Sequence, residues 1–291
     1  MSHDLLQALA IFAAGLAAGT INTVVGSGTL ITFPTLLAFG YPPVLANVTN
    51  NVGLVPGVAS GVIGYRAELA GQRRRVIRLG SASVCGGLLG AILLLVLPAD
   101  AFHAIVPALI GIALVMVVFQ PRLAKWVAGR QQRSRAGGDP QAAGRALPQA
   151  AGGTGTAVVL DRAPGETARP AGGLQVGGPV LWVLVFTSGV YGGYFGAAQG
   201  VLLIGLMGVA FTDSMQRVNA VKNVLAGLVN GVAAVVFVIA AHIDWGAAGL
   251  IAAGSVIGGQ VGARIGRRLP AWGLRVLIVC VGAAALARLL T

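Results

Sequence analysis

Long apolar runs separated by short polar stretches make up most of this chain. A helix of about 20 apolar residues is long enough to cross the hydrocarbon core of a membrane. The pattern therefore predicts an all-α integral membrane protein. The predicted spans are 5–25, 44–65, 76–97, 101–119, 214–241, 245–265 and 272–290, and 179–195 opens the second half of the chain.

Two polar breaks interrupt the apolar runs. The first extends from Asn22 to Thr29 and the second from Gly196 to Gly200. The runs that follow, 30–39 and 200–211, cover only about half of the hydrocarbon core at about 1.5 Å per residue. Each is predicted to be a half-helix that returns toward the side from which the chain entered. The backbone at each break must then be satisfied by protein, water or ligand.

The stretch 120–178 has a different composition from the rest of the chain. It is rich in Gly, Pro, Ala, Gln and Arg and has no sustained apolar period, which predicts a disordered linker. The linker divides the chain into a first transmembrane repeat, 1–119, and a second, 179–291.

The two halves resemble each other in sequence. A shift of 172 residues places the stretch 83–91 on 255–263. The same shift places Asn47, Asn50 and Asn51 on Asn219, Lys222 and Asn223. In the segments before these, a shift of 174 residues places Gly15, Gly19 and Gly26 on Gly189, Gly193 and Gly200. The repeat predicts that the two breaks form one binding site built twice.

Charge distribution indicates how the halves are oriented. Only 10% of the residues are charged, against about 25% in soluble domains, and the net charge of +12 is expected at helix ends. The loop 66–78 is strongly basic whereas its equivalent, 242–245, has no Lys or Arg; the turn 98–100 has no cation whereas 264–268 holds arginines. Because basic loops stay in the cytoplasm, the repeats are predicted to be inverted. Each then has a broken hairpin and three spanning helices, about eight transmembrane segments in all, with the linker cytoplasmic and both termini outside.

Inverted repeats with discontinuous helices are typical of secondary transporters. The N-termini of the two half-helices would point positive dipole ends and free N–H groups into the protein, which suits an anion. Lys222 is the strongest single candidate, because a lysine within a span costs about 2.5–3.5 kcal/mol unless an anion or water compensates it. The predicted substrate-binding set is Asn22, Ser27, Gly28, Thr29, Asn47, Asn50, Asn51, Gln199, Gly200, Asn219, Lys222, Asn223, Tyr194 and Arg217.

Structural roles compete with each of these assignments. Lys222 and Arg217 could extend to the membrane interface, and the asparagines could form hydrogen bonds between packed helices. Tyr194 could serve in packing.

The motifs from Gly15 to Arg66 resemble those of the TauE/SafE sulfite exporter family. A glycine-rich break leads into a Pro-containing segment at 26–36, Ala46 to Asn50 opens the next span, and Gly64-Tyr65-Arg66 ends it. The resemblance covers both halves but not the linker. It implies transport of a small sulfur-containing anion of the sulfite, sulfonate or sulfoacetate class, with direction and coupling left open.

Together these features predict a transporter that works by alternating access in a bacterial cytoplasmic membrane. An anion channel with the same electropositive site is the alternative, and an enzyme is not expected. We expect no metal and no cofactor, because Cys85, Cys280 and the histidines form no ligand cluster in the sequence. The expected partners are the small anion, with or without a coupled proton or cation, and membrane lipid, but no nucleic acid.

Overall fold

A computed structural model describes residues 3–136, 178–211, 213–265 and 271–290. These residues form helices and no strands. In chain order the helices are α1 (His3–Val24), α2 (Thr29–Ala38), α3 (Pro43–Gly64), α4 (Arg73–Val96), α5 (Ala99–Ala136), α6 (Pro179–Tyr194), α7 (Gln199–Ala210), α8 (Met215–Ala240), α9 (Trp245–Ile265) and α10 (Ala271–Leu290). The two half-helices are present as α2 and α7.

Five of the described helices contain a segment that is long and apolar enough to cross a membrane: α1, α4, α5, α8 and α9. Large apolar side chains are exposed on their outer surfaces: Val96 is 74% exposed and Ile239 is 79% exposed. Soluble monomers rarely expose large contiguous apolar surfaces, whereas lipid solvates them. The protein is an all-α integral membrane protein.

Helices α1–α5 and α6–α10 pack in a pseudo-twofold arrangement. Helix α1 packs against α9 as α6 packs against α4, and α3 packs against α9 as α8 packs against α4. Glycines make these contacts close: a Cβ on Gly258 of α9 would lie 2.0 Å from the carbonyl oxygen of Leu16, and one on Gly86 of α4 would lie 2.2 Å from that of Phe186. These glycine-bearing surfaces of α4 and α9 are therefore helix-packing surfaces.

The contacts correct the register of the repeat around the breaks. The pair Leu16–Gly258 is equivalent to Phe186–Gly86, and the two glycines are 172 residues apart, so Leu16 corresponds to Phe186. The shift in α1 and α6 is therefore 170 residues, and the predicted shift of 174 was wrong. The error is one helical turn: glycines recur every four residues in both helices, so a slip of four still superimposes glycine on glycine.

The equivalent helices α3 and α8 run antiparallel. Just beyond the end of α8, the backbone nitrogen of Asp244 donates a hydrogen bond of 3.2 Å to the hydroxyl of Thr49, near the start of α3. At the other end of the pair, Nε2 of Gln72, in the connection after α3, donates one of 3.3 Å to the carbonyl of Arg217, in the first turn of α8. Antiparallel equivalents are the arrangement that an inverted repeat requires.

The two ends of the α3–α8 pair define two faces of the molecule. We call the end where α3 ends and α8 begins the basic face, and the end where α3 begins and α8 ends the opposite face. Gly64 and Ala263 are in contact, so α9 also ends at the basic face, and Arg264 lies there with the loop after α3. Arg264 and the loop after α3, which the charge pattern assigned to one side of the membrane, therefore lie at one end of the molecule.

Helix α5 is longer than the sequence indicated. It continues through residues 120–136, where the linker was predicted to begin. That stretch has no sustained apolar period but is rich in Arg, Gln and Ala, which are strong helix formers. The rest of the predicted linker, 137–177, lies outside the described residues.

Candidate functional site

The two helix breaks touch each other inside the protein. Gly26 and Gly196, which are equivalent in the corrected register, both have left-handed backbone angles, with φ of 89° and 77°. The backbone nitrogen of Gly200 donates a hydrogen bond of 3.1 Å to the carbonyl oxygen of Gly26. A Cβ on Gly26 would lie 2.5 Å from the Cα of Gly200, so only glycine permits this approach.

Both half-helices begin at this contact. Helix α2 begins at Thr29, and the backbone nitrogen of Gly28, at its N-cap, donates a hydrogen bond of 3.1 Å to Oδ1 of Asn22. Helix α7 begins at Gln199 after Ala198, whose φ is 58°. The positive ends of two helix dipoles therefore converge on one region from opposite repeats.

A small polar cavity lies between the two half-helices. Of the predicted site residues, its lining contains Asn22, Thr29, Gln199, Gly200, Lys222 and Asn223. The space open to the centre of a water-sized sphere is about 10 Å³, which is about enough for one water molecule. The cavity is nearly closed in this conformation.

Lys222 supplies a positive charge to the cavity wall. It lies within the second turn of α8, about 10 Å from the start of that helix at 1.5 Å per residue, and its side chain is fully buried. Its ammonium donates hydrogen bonds to the carbonyl oxygens of Asn22, at 2.9 Å, and Thr23, at 3.3 Å. These carbonyls are at the C-terminal, negative end of the α1 dipole, which partly compensates the charge.

Electrostatically the cavity favours an anion. The described lining residues include one cation and no carboxylate. The side chain of Gln199 contributes a buried amide nitrogen that has no hydrogen-bond partner among the described residues. A buried donor without a partner costs about 1–3 kcal/mol, and a bound oxyanion would satisfy it.

Three predicted asparagines connect helices. The amide of Asn47 donates a hydrogen bond of 2.9 Å to the carbonyl of Tyr194, at the end of α6. Asn219, its repeat equivalent, does the same at 3.1 Å to the carbonyl of Thr23, near the end of α1. Asn50 accepts a hydrogen bond from the Thr32 hydroxyl. These three side chains form hydrogen bonds to the broken helices and do not line the cavity. This is the structural role, hydrogen bonding between packed helices, that competed with substrate binding.

Of the remaining predicted residues, Ser27, Gly28, Asn51 and Tyr194 also lie outside the lining. Ser27 is fully buried, and its hydroxyl, like that of Tyr194 and Oδ1 of Asn51, has no partner among the described residues. Arg217 lies at the basic face, where its side chain contacts Asp213 and the carbonyl of Ala70. It is therefore separated from the cavity that Lys222 lines.

Several lining residues were not among the predicted set: Thr23, Gly26, Val58, Gly196, Ala226 and Asn230. The sequence contains a signal for Asn230, which is seven residues beyond Asn223 on α8 and hence on the same helix face. Gly196 follows from Gly26 once the register is corrected. Nothing in the sequence marks Val58 or Ala226.

Polar contacts join the two repeats at both faces of the molecule. At the opposite face, Tyr41 donates a hydrogen bond of 3.0 Å to the Asp244 carboxylate. At the basic face, Asp213 pairs with Arg75 at 2.6 Å and with Arg217 at 3.3 Å. The Tyr41–Asp244 and Asp213–Arg75 contacts each join the chain just after a half-helix to the other repeat, whereas the Asp213–Arg217 pair lies within the second repeat. We call them the opposite latch (Tyr41–Asp244) and the basic latch (Arg75–Asp213–Arg217).

Comparison with known proteins connects this architecture with a family. Residues 11–289 match the family described as sulfite exporter TauE/SafE. The chain is 25% identical over 307 aligned positions to the probable membrane transporter protein YfcA of Escherichia coli K12, covering 100% of this chain and 91% of that protein.

Two other relatives match in part. The probable membrane transporter protein ORF9 of a Sinorhizobium species is 33% identical over 105 residues, which is 36% of this chain and 40% of that protein. A probable membrane transporter protein of Haemophilus influenzae is 31% identical over 120 residues, or 41% of this chain and 46% of that protein. No solved structure matches the chain. The family match covers nearly the whole sequence, so the chain belongs to the TauE/SafE sulfite exporter family of membrane transporters.

Proposed function

We propose that this TauE/SafE family member moves a small sulfur-containing anion, of the sulfite, sulfonate or sulfoacetate class, across the bacterial cytoplasmic membrane by alternating access. The anion binds near the membrane midplane between the two helix breaks. Lys222 is its fixed charge partner, and Gln199, Thr29 and Asn223 are its hydrogen-bond donors.

One observation carries this proposal. The N-termini of α2 and α7 and the ammonium of Lys222 line one cavity that contains no carboxylate among its described residues. A cavity built for a cation or a proton relay would present acidic side chains. Asp213 and Asp244 instead lie at the two faces, in the latches.

The substrate class comes from the family rather than from the cavity. The family description names sulfite, and sulfite and sulfonates share a compact group of oxygens that accept hydrogen bonds. Two helix N-termini and one lysine match that chemistry. Helix N-termini and a lysine would also bind a carboxylate, so carboxylates are compared with sulfite and sulfonates in the thermal-unfolding test.

Alternating access is supported by the cavity and the latches. The cavity is nearly closed, and it has a polar latch at each face. In an alternating-access cycle one latch opens at a time, and the inverted repeat gives the two openings similar geometry. Movement of each half-helix relative to α3 and α8 would open the corresponding side.

Thermal unfolding of the purified full chain tests the site. We expect sulfite or a sulfonate to raise the melting temperature, and sulfate and carboxylates to raise it less. In Lys222→Met the ligand shift should disappear, whereas Lys222→Arg should retain part of it. The melting temperature of the unliganded Lys222→Met protein reports whether the variant is folded. If the variant is folded and its ligand shift equals that of the wild type, Lys222 is not the charge partner.

Reconstitution in liposomes tests the mechanism. A transporter gives saturable uptake of labelled anion that is accelerated by the same anion on the far side. A single-channel current at a planar bilayer would instead favour the anion channel. Neither result depends on the direction of transport in the cell.

A further inference from the structure

A second electropositive site lies at the basic face, apart from the central cavity. It is a cleft of about 200 Å³ between the N-terminal ends of α4 and α6. Arg74, Arg75 and Arg78 line its polar side, and Leu79, Leu181 and Phe211 line its apolar side. The cleft contains no residue of the central cavity.

The charge of this cleft is larger than that of the central cavity. Three arginines line one space whose described lining contains no carboxylate. Arg75 is partly neutralised by Asp213, at 2.6 Å, and its guanidinium lies 3.7 Å from the ring centroid of Phe211. Arg74 and Arg78 are exposed and add their full charge. Helices α4 and α6 both begin here, so the positive ends of two dipoles add to that of the arginines.

The position of the cleft corresponds to the headgroup level of a membrane. Arg74 and Arg78 lie in the first turns of α4, and Ile77, which is between them in the sequence, is an exposed apolar residue. On α6, the indole nitrogen of Trp182 donates a hydrogen bond of 3.1 Å to the hydroxyl of Ser81. Tryptophan is enriched where the apolar core meets the headgroups, because one end of its ring is apolar and the other is polar.

We propose that this cleft binds the phosphate-bearing headgroup of an anionic membrane lipid. Arginine pairs with phosphate oxygens through two parallel N–H groups, which makes a cluster of arginines a phosphate site. The apolar side, formed by Leu79, Leu181 and Phe211, accommodates the start of the acyl chains. Basic clefts between membrane helices are suited to such headgroups. The site is independent of the transported anion.

Lipid binding to the purified full chain tests this proposal. The probe is phosphatidylglycerol, with phosphatidylcholine as the zwitterionic comparison, each added to the protein in neutral detergent. Bound lipid is counted by native mass spectrometry, and the affinity is taken from the rise in melting temperature. We expect phosphatidylglycerol to be retained and to stabilise the protein, and phosphatidylcholine to do neither.

The double substitution R74Q/R78Q should weaken phosphatidylglycerol binding about thirtyfold, since each arginine contributes about fivefold near a membrane surface. R73Q is the matched control: Arg73 is exposed, adjacent in sequence and absent from the cleft lining. It should change the affinity less than threefold. An equal loss in R73Q, or equal binding of phosphatidylcholine, would overturn the proposal.

Competition with free phosphate compounds distinguishes a lipid headgroup from a soluble phosphate as the occupant of the cleft. Inorganic phosphate and glycerol 3-phosphate are titrated against bound phosphatidylglycerol. We expect no displacement at a tenfold excess over lipid, because neither has an acyl chain for the apolar side of the cleft. Displacement at equal concentration would assign the cleft to a soluble phosphate compound and reject the lipid.

Discussion

The backbone nitrogen of Gly200 donates a hydrogen bond of 3.1 Å to the carbonyl oxygen of Gly26, and this contact joins the two repeats at their helix breaks. Each break alone would leave backbone groups unsatisfied inside a membrane protein. The contact satisfies one donor and one acceptor, and it brings the N-termini of α2 and α7 to the same cavity. The geometry of the site therefore depends on how closely two glycines approach.

The close approach predicts a large cost for a methyl group at Gly26. In Gly26→Ala the new Cβ would lie 2.5 Å from the Cα of Gly200, and the residue would also have to adopt a φ of 89°. Left-handed backbone costs about 1–3 kcal/mol outside glycine, and separating the breaks adds to this. We expect a lower melting temperature and a loss of anion binding.

Gly40→Ala separates the two causes. Gly40 has a φ of 85°, but no atom lies within 4 Å of the Cβ that the substitution would add. It should show only the backbone cost, of about 1–2 kcal/mol, and should retain anion binding. If both variants lose binding equally, close approach at Gly26 is not what the site requires.

A second prediction concerns helix packing in α9. In Gly258→Ala the Cβ would lie 2.0 Å from the carbonyl oxygen of Leu16, so α1 and α9 must separate. Overpacking of this kind costs about 1–3 kcal/mol. Gly249→Ala, on the same helix, meets no atom within 4 Å and should be neutral or stabilising by about 0.5–1 kcal/mol, because alanine favours the helix.

Thermal unfolding of both variants in one detergent measures this difference. The melting temperature of Gly258→Ala should fall and that of Gly249→Ala should not. The predicted order would be contradicted if Gly249→Ala were the less stable of the two.

The sequence could predict most of the fold because membrane helices carry a strong signal. Except at the C-terminal end of α5, apolar runs set the helix ends to within a few residues, and both half-helices were recognisable by length. Lys222 was identifiable because a cation inside a span is rare and costly. In these cases one physical term, the transfer of side chains to an apolar medium, dominates.

Finer features depended on terms that residue type alone does not fix. Asn47 and Asn223 are both buried amides on equivalent helices, and each donates to a carbonyl at the end of a broken helix, that of Tyr194 and that of Thr23, yet only Asn223 also lines the cavity. An asparagine amide can serve a carbonyl or a ligand equally well. The repeat register around Gly19 failed for a similar reason, since glycine spacing is the same after a slip of one turn. Contacts between helices resolve both questions.

The opposite latch predicts a pH effect at high pH. The pKa of Tyr41, in the connection before α3, is raised from its ordinary value of about 10 by burial, and further by its hydrogen bond to Asp244 and the charge of that carboxylate. Because the folded-state pKa is the higher one, the stabilisation is fully present below about pH 10 and is lost as the pH rises through the raised pKa.

The difference in melting temperature between wild type and Tyr41→Phe measures this contribution. It should be constant up to about pH 10 and shrink above it. In an Asp244→Asn background the difference should begin to shrink at the same pH but should shrink less and level off at a lower pH, because the carboxylate that helps to raise the folded-state pKa is gone. A difference that stays constant to pH 12 would exclude titration of Tyr41 as its source.

The two latches give the sharpest prediction about access to the cavity. Ala226 lines the cavity, so Ala226→Cys, in a chain whose exposed Cys85 and Cys280 are replaced by serine, reports access to the site from either side of an oriented vesicle.

Asp213→Asn weakens both ion pairs of the basic latch. Partly exposed ion pairs are worth about 0.2–1 kcal/mol each, so modification by a membrane-impermeant thiol reagent should accelerate roughly two- to thirtyfold from the basic face. Tyr41→Phe should accelerate it from the opposite face instead. Equal acceleration from both faces by either variant would indicate a continuous pore, and alternating access would then be rejected.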